Sequence, residues 1–255
     1  MAAEERVVYR LYRNLWATLD LLYPPDCAGC RTPRARWCSE CQGKVQVIKP
    51  PLCERCGQPL ESGRLCVPCQ GTTLPCFTAV RSWALFEGPV RQAVHRLKYF
   101  RDVSIGLLLA LPLIACLRAQ AWQVDLVVPV PLGVARLKER GYNQSGLIAR
   151  PLGLACGIKY SPPALRRVRE TCSQVGLTHA QRRENVRGAF QALSRRVADK
   201  SVLIVDDVAT SSATLDACAQ ACLEAGALRV FGLTLARVGQ RGVDPVDYAS
   251  VIQGG

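Results

Sequence analysis

Beyond residue 79 the chain alternates short, unbroken apolar runs with longer stretches of helical spacing. Ala79–Phe86 and Arg229–Leu235 read as strands, and Leu126–Val130 and Ser201–Val205 are rich in Val, Leu and Ile and lack apolar–polar alternation. Such runs are the mark of strands buried on both faces. Pro89–Lys98, the segment from the Tyr99–Asp102 turn to Ala121, Asn143–Cys156 and residues 215–225 read as helices, the last stopped by Gly226. Strands alternating with helices predict an α/β fold: a parallel sheet with helices on both faces, right-handed crossovers and a site at the strand C-termini. At the N-terminus Val8, Leu11, Leu15, Leu19 and Leu22 form a stripe at helical spacing. The stripe predicts an amphipathic helix over residues 1–22 that packs on its own domain. Contact with a membrane surface, helped by Arg6, Arg10 and Arg13, is the weaker alternative. Ile105–Leu117 is the most apolar stretch, but 13 residues containing Pro112 make a core helix and not a membrane span.

Periodicity is absent from residues 23–76, where cysteine replaces it. Four Cys-x-x-Cys pairs, Cys27/Cys30, Cys38/Cys41, Cys53/Cys56 and Cys66/Cys69, lie within 43 residues. Each pair on a tight turn presents two thiolates, and two pairs complete a tetrahedral, all-cysteine zinc site. Pro25, Gly29, Pro51, Gly57 and Pro59 supply the turn chemistry. Eight ligands predict two structural zinc ions, since four thiolates leave no position open for water. A segment this short also buries too little core to fold unaided. Loops of seven and nine residues within Cys27–Cys41 and Cys53–Cys69 favour sequential pairing. Crossed pairing of the first and third pairs stays open. Of the six scattered cysteines, Cys116, Cys156, Cys218 and Cys222 read as small buried hydrophobes, Cys76 is assigned no chemistry, and Cys172 alone reads as a thiol to watch for reactivity.

Fourteen cysteines with no signal-like N-terminus predict a reducing, cytoplasmic setting. The formal charge is +13, and residues 83–255 hold 22 Lys/Arg against 13 Asp/Glu. That surplus suits a polyanion: nucleic acid, or the pyrophosphate of a small substrate.

The most telling run is Val202-Leu203-Ile204-Val205-Asp206-Asp207-Val208-Ala209-Thr210-Ser211-Ser212-Ala213-Thr214. A buried strand ends in two acids, passes through a hydroxyl-rich turn and enters a helix. Unpaired N–H groups and the helix dipole make that turn a phosphate cradle. The acids suit vicinal ribose hydroxyls or a hydrated Mg²⁺. Two basic segments accompany it. Pro129-Val130-Pro131-Leu132 leads to Arg136, Arg140, Gly141, Tyr142, Asn143 and Gln144 at the same sheet edge. Gln174-Val175-Gly176-Leu177 leads to Arg182, Arg183 and Arg187, within residues 163–200 that hold nine Lys/Arg and three acids. Both predict basic loops able to meet a pyrophosphate, the second as a mobile lid. His95 and His179 read as surface residues without a chemical role.

The Asp206–Thr214 run resembles the phosphoribosyl-pyrophosphate (PRPP) motif of type I phosphoribosyltransferases. That resemblance implies that Asp206 and Asp207 hold the ribose and that Ala209, Thr210, Ser211, Ser212, Ala213 and Thr214 form the 5-phosphate loop, with Mg²⁺ accompanying PRPP. One departure is Ser212, where such motifs usually carry glycine; a positive φ there costs a serine more. The ordered set of Cys pairs, Lys98-Tyr99-Phe100, P-V-P-L…R…R-G-Y-N-Q, Q-x-G-L…R-R-x-N-x-x-G-A-F and the acid motif is similar to the ComF/GntX family over residues 20–237. The family resemblance implies a double zinc ribbon at 23–76, a type I phosphoribosyltransferase fold at 79–240 and a tail at 241–255. It also implies work with a DNA-uptake machinery, or in use of external DNA, that handles the incoming single strand.

Two functions follow. In one, the protein transfers phosphoribose from PRPP to an unidentified acceptor, with Asp206 and Asp207 catalytic. In the other it is a non-catalytic module for single-stranded DNA, gripped by Lys98, Tyr99, Phe100, Tyr142 and Arg187, and the PRPP pocket is a sensor or relic.

Overall fold

The computed structural model describes residues 2–71, 75–171 and 178–239 of the chain. Gln174, Cys172 and the 241–255 tail therefore lie outside the described residues. In chain order the elements are α1 (Ala2–Leu22), α2 (Ser39–Gly43), α3 (Val67–Gln70), β1 (Ala79–Leu85), α4 (Gly88–Tyr99), α5 (Ile105–Arg118), β2 (Leu126–Pro129) and α6 (Val134–Arg140). They continue through α7 (Gln144–Cys156), β3 (Lys159–Tyr160), β4 (Leu165–Arg167), α8 (His179–Val186), β5 (Phe190–Ala192), α9 (Ser194–Val197), β6 (Ser201–Ala209), α10 (Ala213–Glu224) and β7 (Arg229–Arg237).

Five strands form one sheet in the order β1-β7-β6-β2-β3, and every pairing is parallel. The unalternated apolar runs have the expected cause: both faces are covered. Leu203, Val205, Phe231 and Leu233 join α4, α5 and α7 in one apolar layer. Val202, Ile204, Leu126 and Val230 join α10 and the β4–β5 hairpin in the other. From β2 the chain proceeds outward to β3, whereas from β6 it proceeds to β7 on the opposite side. The C-terminal crevice between β2 and β6 is thus a topological switch point, where open α/β sheets place ligands.

Three expectations need correction. The acids do not follow the strand; β6 runs on through Asp206 and Asp207 to Ala209. Residues 179–186 form a capped helix, not a loop. Thr178 and Gln181 close a capping box there, and α8 packs near α10. The N-terminal stripe faces outward, with Leu11 63 % and Leu15 60 % exposed. What α1 turns inward is its aromatic face. Tyr9 packs against the core, Arg36 pairs with Asp20 and lies over Trp16, and Arg150 lies over Tyr12. Cation–π contacts and a half-buried ion pair thus outweigh aliphatic periodicity in setting the helix rotation. No helix among the described residues is long and apolar enough to cross a membrane.

The Cys-rich segment is clamped along β1, the sheet edge. Ile48 N donates to Trp83 O, Leu85 N to Gln46 O, and Val80 N to Arg55 O, at 2.9, 2.9 and 2.6 Å. These bonds satisfy backbone groups that an open edge would expose. Gly57 makes the approach possible. Its φ is +72°, and a Cβ there would lie 2.4 Å from Val80 O. Gly57→Ala should therefore destabilise the chain by about 1–3 kcal/mol. Gly43→Ala, which meets nothing within 4 Å, should stay within about 0.5 kcal/mol of wild type. Chemical denaturation of both variants checks this.

Candidate functional site

The acid pair is held from three directions. Ser145 Oγ, in the first turn of α7, donates to Asp206 Oδ1 at 2.8 Å, and the Asp207 N–H donates to the same oxygen at 2.9 Å. Asn143 sets that turn: its Oδ1 caps the N–H groups of Ser145 and Gly146, while its Nδ2 donates to Val130 O at 2.9 Å. Lys98, in the last turn of α4, places its ammonium 2.9 Å from Asp207 Oδ2. Asp207 is buried and Asp206 half-buried. Burial first, and then the neighbouring Asp207 carboxylate, push the Asp206 carboxyl up to about 7.

Beyond Ala209 the turn runs through exposed Thr210 and half-buried Ser211 to buried Ser212. Ser212 adopts φ +60°, ψ 9°, the left-handed conformation that makes glycine the usual choice. Ser211 Oγ accepts from Ala213 N at 3.4 Å, and Ser212 makes no side-chain bond into the helix it caps. The twelve-residue α10 begins after the three residues that follow β6, with its N-terminus at the switch-point edge of the sheet.

Beside the acids, the turn at the end of α4 exposes two rings, Tyr99 at 57 % and Phe100 at 56 %. Arg140 lies 5.3 Å over Tyr99 and Arg31, from the first ribbon, 4.9 Å over Phe100. His95 packs against both rings, and its pKa is lowered by burial and by Arg91, Lys98 and Arg31. Tyr142 does not belong to this exposed group, contrary to expectation. Its hydroxyl donates to Leu97 O and its ring packs on the core, so it anchors the turn from beneath. Arg140 reaches Gln144 Oε1 at 3.2 Å, on the acid-pair side. Arg136 is exposed on α6 near Arg167. Arg183 directs its charge toward Asp216 in the first turn of α10, and Arg187 pairs with Glu184 at 3.6 Å on the open surface. Arg182 sits on the same helix. Of the sequence-selected cations, Lys98 contacts the acids; Arg140 reaches Gln144, Arg136 lies near Arg167, and Arg182, Arg183 and Arg187 lie on or at the end of α8.

The cysteines gather as two tetrads, Cys27/Cys30/Cys38/Cys41 and Cys53/Cys56/Cys66/Cys69, each with all four Sγ atoms within 4.8 Å. A tetrahedral zinc with Zn–S near 2.3 Å needs S···S of about 3.8 Å. Cys30 and Cys38 stand at 3.6 Å and Cys56 and Cys66 at 3.5 Å, so the donors fit. The grouping is the sequential one. Backbone N–H groups of Cys38 and Cys41 point at Sγ of Cys27 and Cys38, at 3.3 and 3.4 Å, as thiolates require.

Two participants escape the sequence reading. Ser145 is traceable as the second helical residue behind the Asn143 cap. Arg237, the cation at the end of β7, is 3 % exposed and touches both the turn before α10 and the second ribbon.

Residues 18–70 match the double zinc ribbon domain model. The chain is 34 % identical over 222 residues to a DNA utilization protein YhgH of Salmonella typhi, covering 82 % of this chain and 96 % of that one. It is 29 % identical to Competence protein F of Haemophilus influenzae, over 78 % of this chain and 96 % of the relative. Competence protein ComFC of Bacillus subtilis is 24 % identical, over 87 % and 89 %. Among solved structures, a glutamine PRPP amidotransferase from B. subtilis aligns at TM-score 0.34 and 24 % identity, over 52 % of this chain and 25 % of that chain. An adenine phosphoribosyltransferase from Thermoanaerobacter pseudethanolicus aligns at TM-score 0.34 and 15 % identity, over 57 % and 85 %. Scores at that level carry no weight beside the topology itself. The sequence relatives do: the chain belongs to the ComF/GntX family, with a double zinc ribbon at its N-terminus.

Proposed function

We propose that the protein captures PRPP, or a closely related 5-phosphorylated ribosyl ligand with Mg²⁺, in the service of DNA uptake or utilisation. The observation that carries this reading is the acid pair on β6 beside a left-handed turn into α10, at the switch point between β2 and β6. Asp206 and Asp207 accept from the two ribose hydroxyls, and the N–H groups of residues 210–214 take the 5-phosphate. Arg140 and the basic segment around Arg136 meet the pyrophosphate, which Mg²⁺ neutralises further. Lys98 keeps Asp207 paired before the ligand arrives. The names of the YhgH and Competence protein F relatives support the link to DNA. Both zinc ions act as structural braces.

A second reading, a single-strand module, draws on the exposed Tyr99–Phe100 pair between Arg31 and Arg140. Rings that stack with bases and cations that track phosphates are what such a groove needs. The two readings are compatible, because Lys98 joins the rings to the acids.

Calorimetry with PRPP and Mg²⁺ should show one site per chain, and Asp206→Asn with Asp207→Asn should abolish it while the melting transition survives. Undiminished affinity in that double variant would reject the ligand assignment. Asp206 adds a pH signature. A carboxyl raised from 3.8 to about 7 destabilises the fold once ionised, so its penalty grows as pH rises from about 4 and is complete above 7. Asp206→Asn should therefore gain stability relative to wild type across that window in denaturation measured at several pH values, and a flat difference would contradict it. Metal analysis should find two zinc ions, with Cys38→Ser retaining one. Single-stranded oligo-dT should bind with a log–log salt slope of roughly −2 to −3, at about −0.7 per phosphate engaged. Tyr99→Ala with Phe100→Ala should lower affinity by about 1–3 kcal/mol per base stacked, without changing that slope. No binding at low salt would remove the second reading.

A further inference from the structure

Arg237 is the last residue of β7, pairing in register with Ala209 of β6. Its guanidinium is buried, 3 % exposed, yet no carboxylate pairs with it among the described residues. It donates to the Cys56 carbonyl, to Gln58 Oε1 at 3.3 Å and to Ser212 Oγ at 3.4 Å, while its Nε finds no partner. A buried cation without a counter-charge is costly enough that proteins pair it. The anionic groups whose charge reaches Arg237 are the thiolates of Cys56, Cys66, Cys53 and Cys69. Four thiolates on one Zn²⁺ leave a formal charge of about −2. A loaded second ribbon therefore supplies the missing counter-ion, and an empty ribbon withdraws it.

The same Nη2 that donates to the Cys56 carbonyl also meets Ser212 Oγ, on the one residue of the turn before α10 in a left-handed conformation. A non-glycine residue at positive φ persists only where its surroundings over-determine it. We propose that the second zinc centre is the counter-ion of Arg237, and that Arg237 transmits the metal state of that ribbon to the phosphate turn. Zinc in the second site then fixes the turn in its anion-ready form, and loss of that zinc loosens it. The first ribbon docks through Arg96 to the Cys27 carbonyl and through Arg36 to Ser104, and among the described residues no hydrogen bond joins it to Ser212. The ligand half of this proposal rests on the PRPP reading; the coupling itself does not.

Hydrogen exchange on the full chain without any ligand tests the coupling, so it stands whether or not PRPP binds. Cys69→Ser should empty the second site and speed exchange of the amides of residues 210–216 by roughly tenfold, a normal size for coupled sites. Cys41→Ser should empty the first site and leave those amides at wild-type rates. In a chelator assay Arg237→Gln should release one of its two zinc ions about tenfold faster and the other unchanged. The proposal is overturned if the turn keeps wild-type protection when the second zinc is gone, if both cysteine variants loosen it equally, or if Arg237→Gln releases both ions at wild-type rates. Should Arg237→Gln fail to fold, the two cysteine variants decide the matter alone.

Discussion

Two adjacent acids on a strand buried on both faces impose a cost that the surrounding elements are placed to offset. Placing Asp206 and Asp207 there costs desolvation and mutual repulsion, which is why Asp206 is pushed up to about 7. Each neighbour offsets part of that cost. Ser145 and a backbone N–H donate to Asp206, and Lys98 reaches Asp207 from α4. Packing alone would place two more aliphatic residues at these positions. A sheet that retains two carboxylates at its switch point, next to the turn that enters α10, is the observation on which the proposed capture of a phosphorylated ribosyl ligand rests.

The ribbons then read as braces and not as appendages. The second closes the open edge of β1 through Arg55 and Gly57, and Arg237 carries that closure to the turn before α10. The first fixes α4 through the bond from Arg96 to Cys27 O, and α4 ends in Lys98, Tyr99 and Phe100. Ribbon, sheet edge and the turn before α10 are thus joined by a continuous run of contacts. A small Cys-rich unit can stabilise in this way a core whose functional turn holds a serine at positive φ.

Much of this is legible in the sequence. β2, β6 and β7 announce themselves because burial on both faces gives them near-continuous apolar runs, and the cysteine tetrads because ligand spacing is fixed in the sequence. The site can be placed at Asp206–Thr214 because strand, acids, hydroxyl turn and helix coincide. What stays hidden depends on tertiary partners. β3 has two residues and β4 and β5 three each, too short for any period to show. The rotation of α1 does not follow its aliphatic stripe, because an aromatic face of equal periodicity, met by Arg36 and Arg150, competes with it. Tyr142 reads as a free ring in the sequence because its acceptor, Leu97 O, lies 45 residues upstream. Arg237 cannot be paired from sequence with its ribbon partners, Gln58 and Cys56, since they lie about 180 residues upstream.

A crystal structure of the full chain with PRPP and Mg²⁺ tests the central claim most directly. The account predicts the 5-phosphate on the amides of residues 210–214 and the two ribose hydroxyls on Asp206 and Asp207, with Lys98 displaced from Asp207 or bridging to the ligand. Density for the phosphoribosyl group anywhere other than the β2–β6 crevice, or a crevice still empty at saturating ligand, would contradict it.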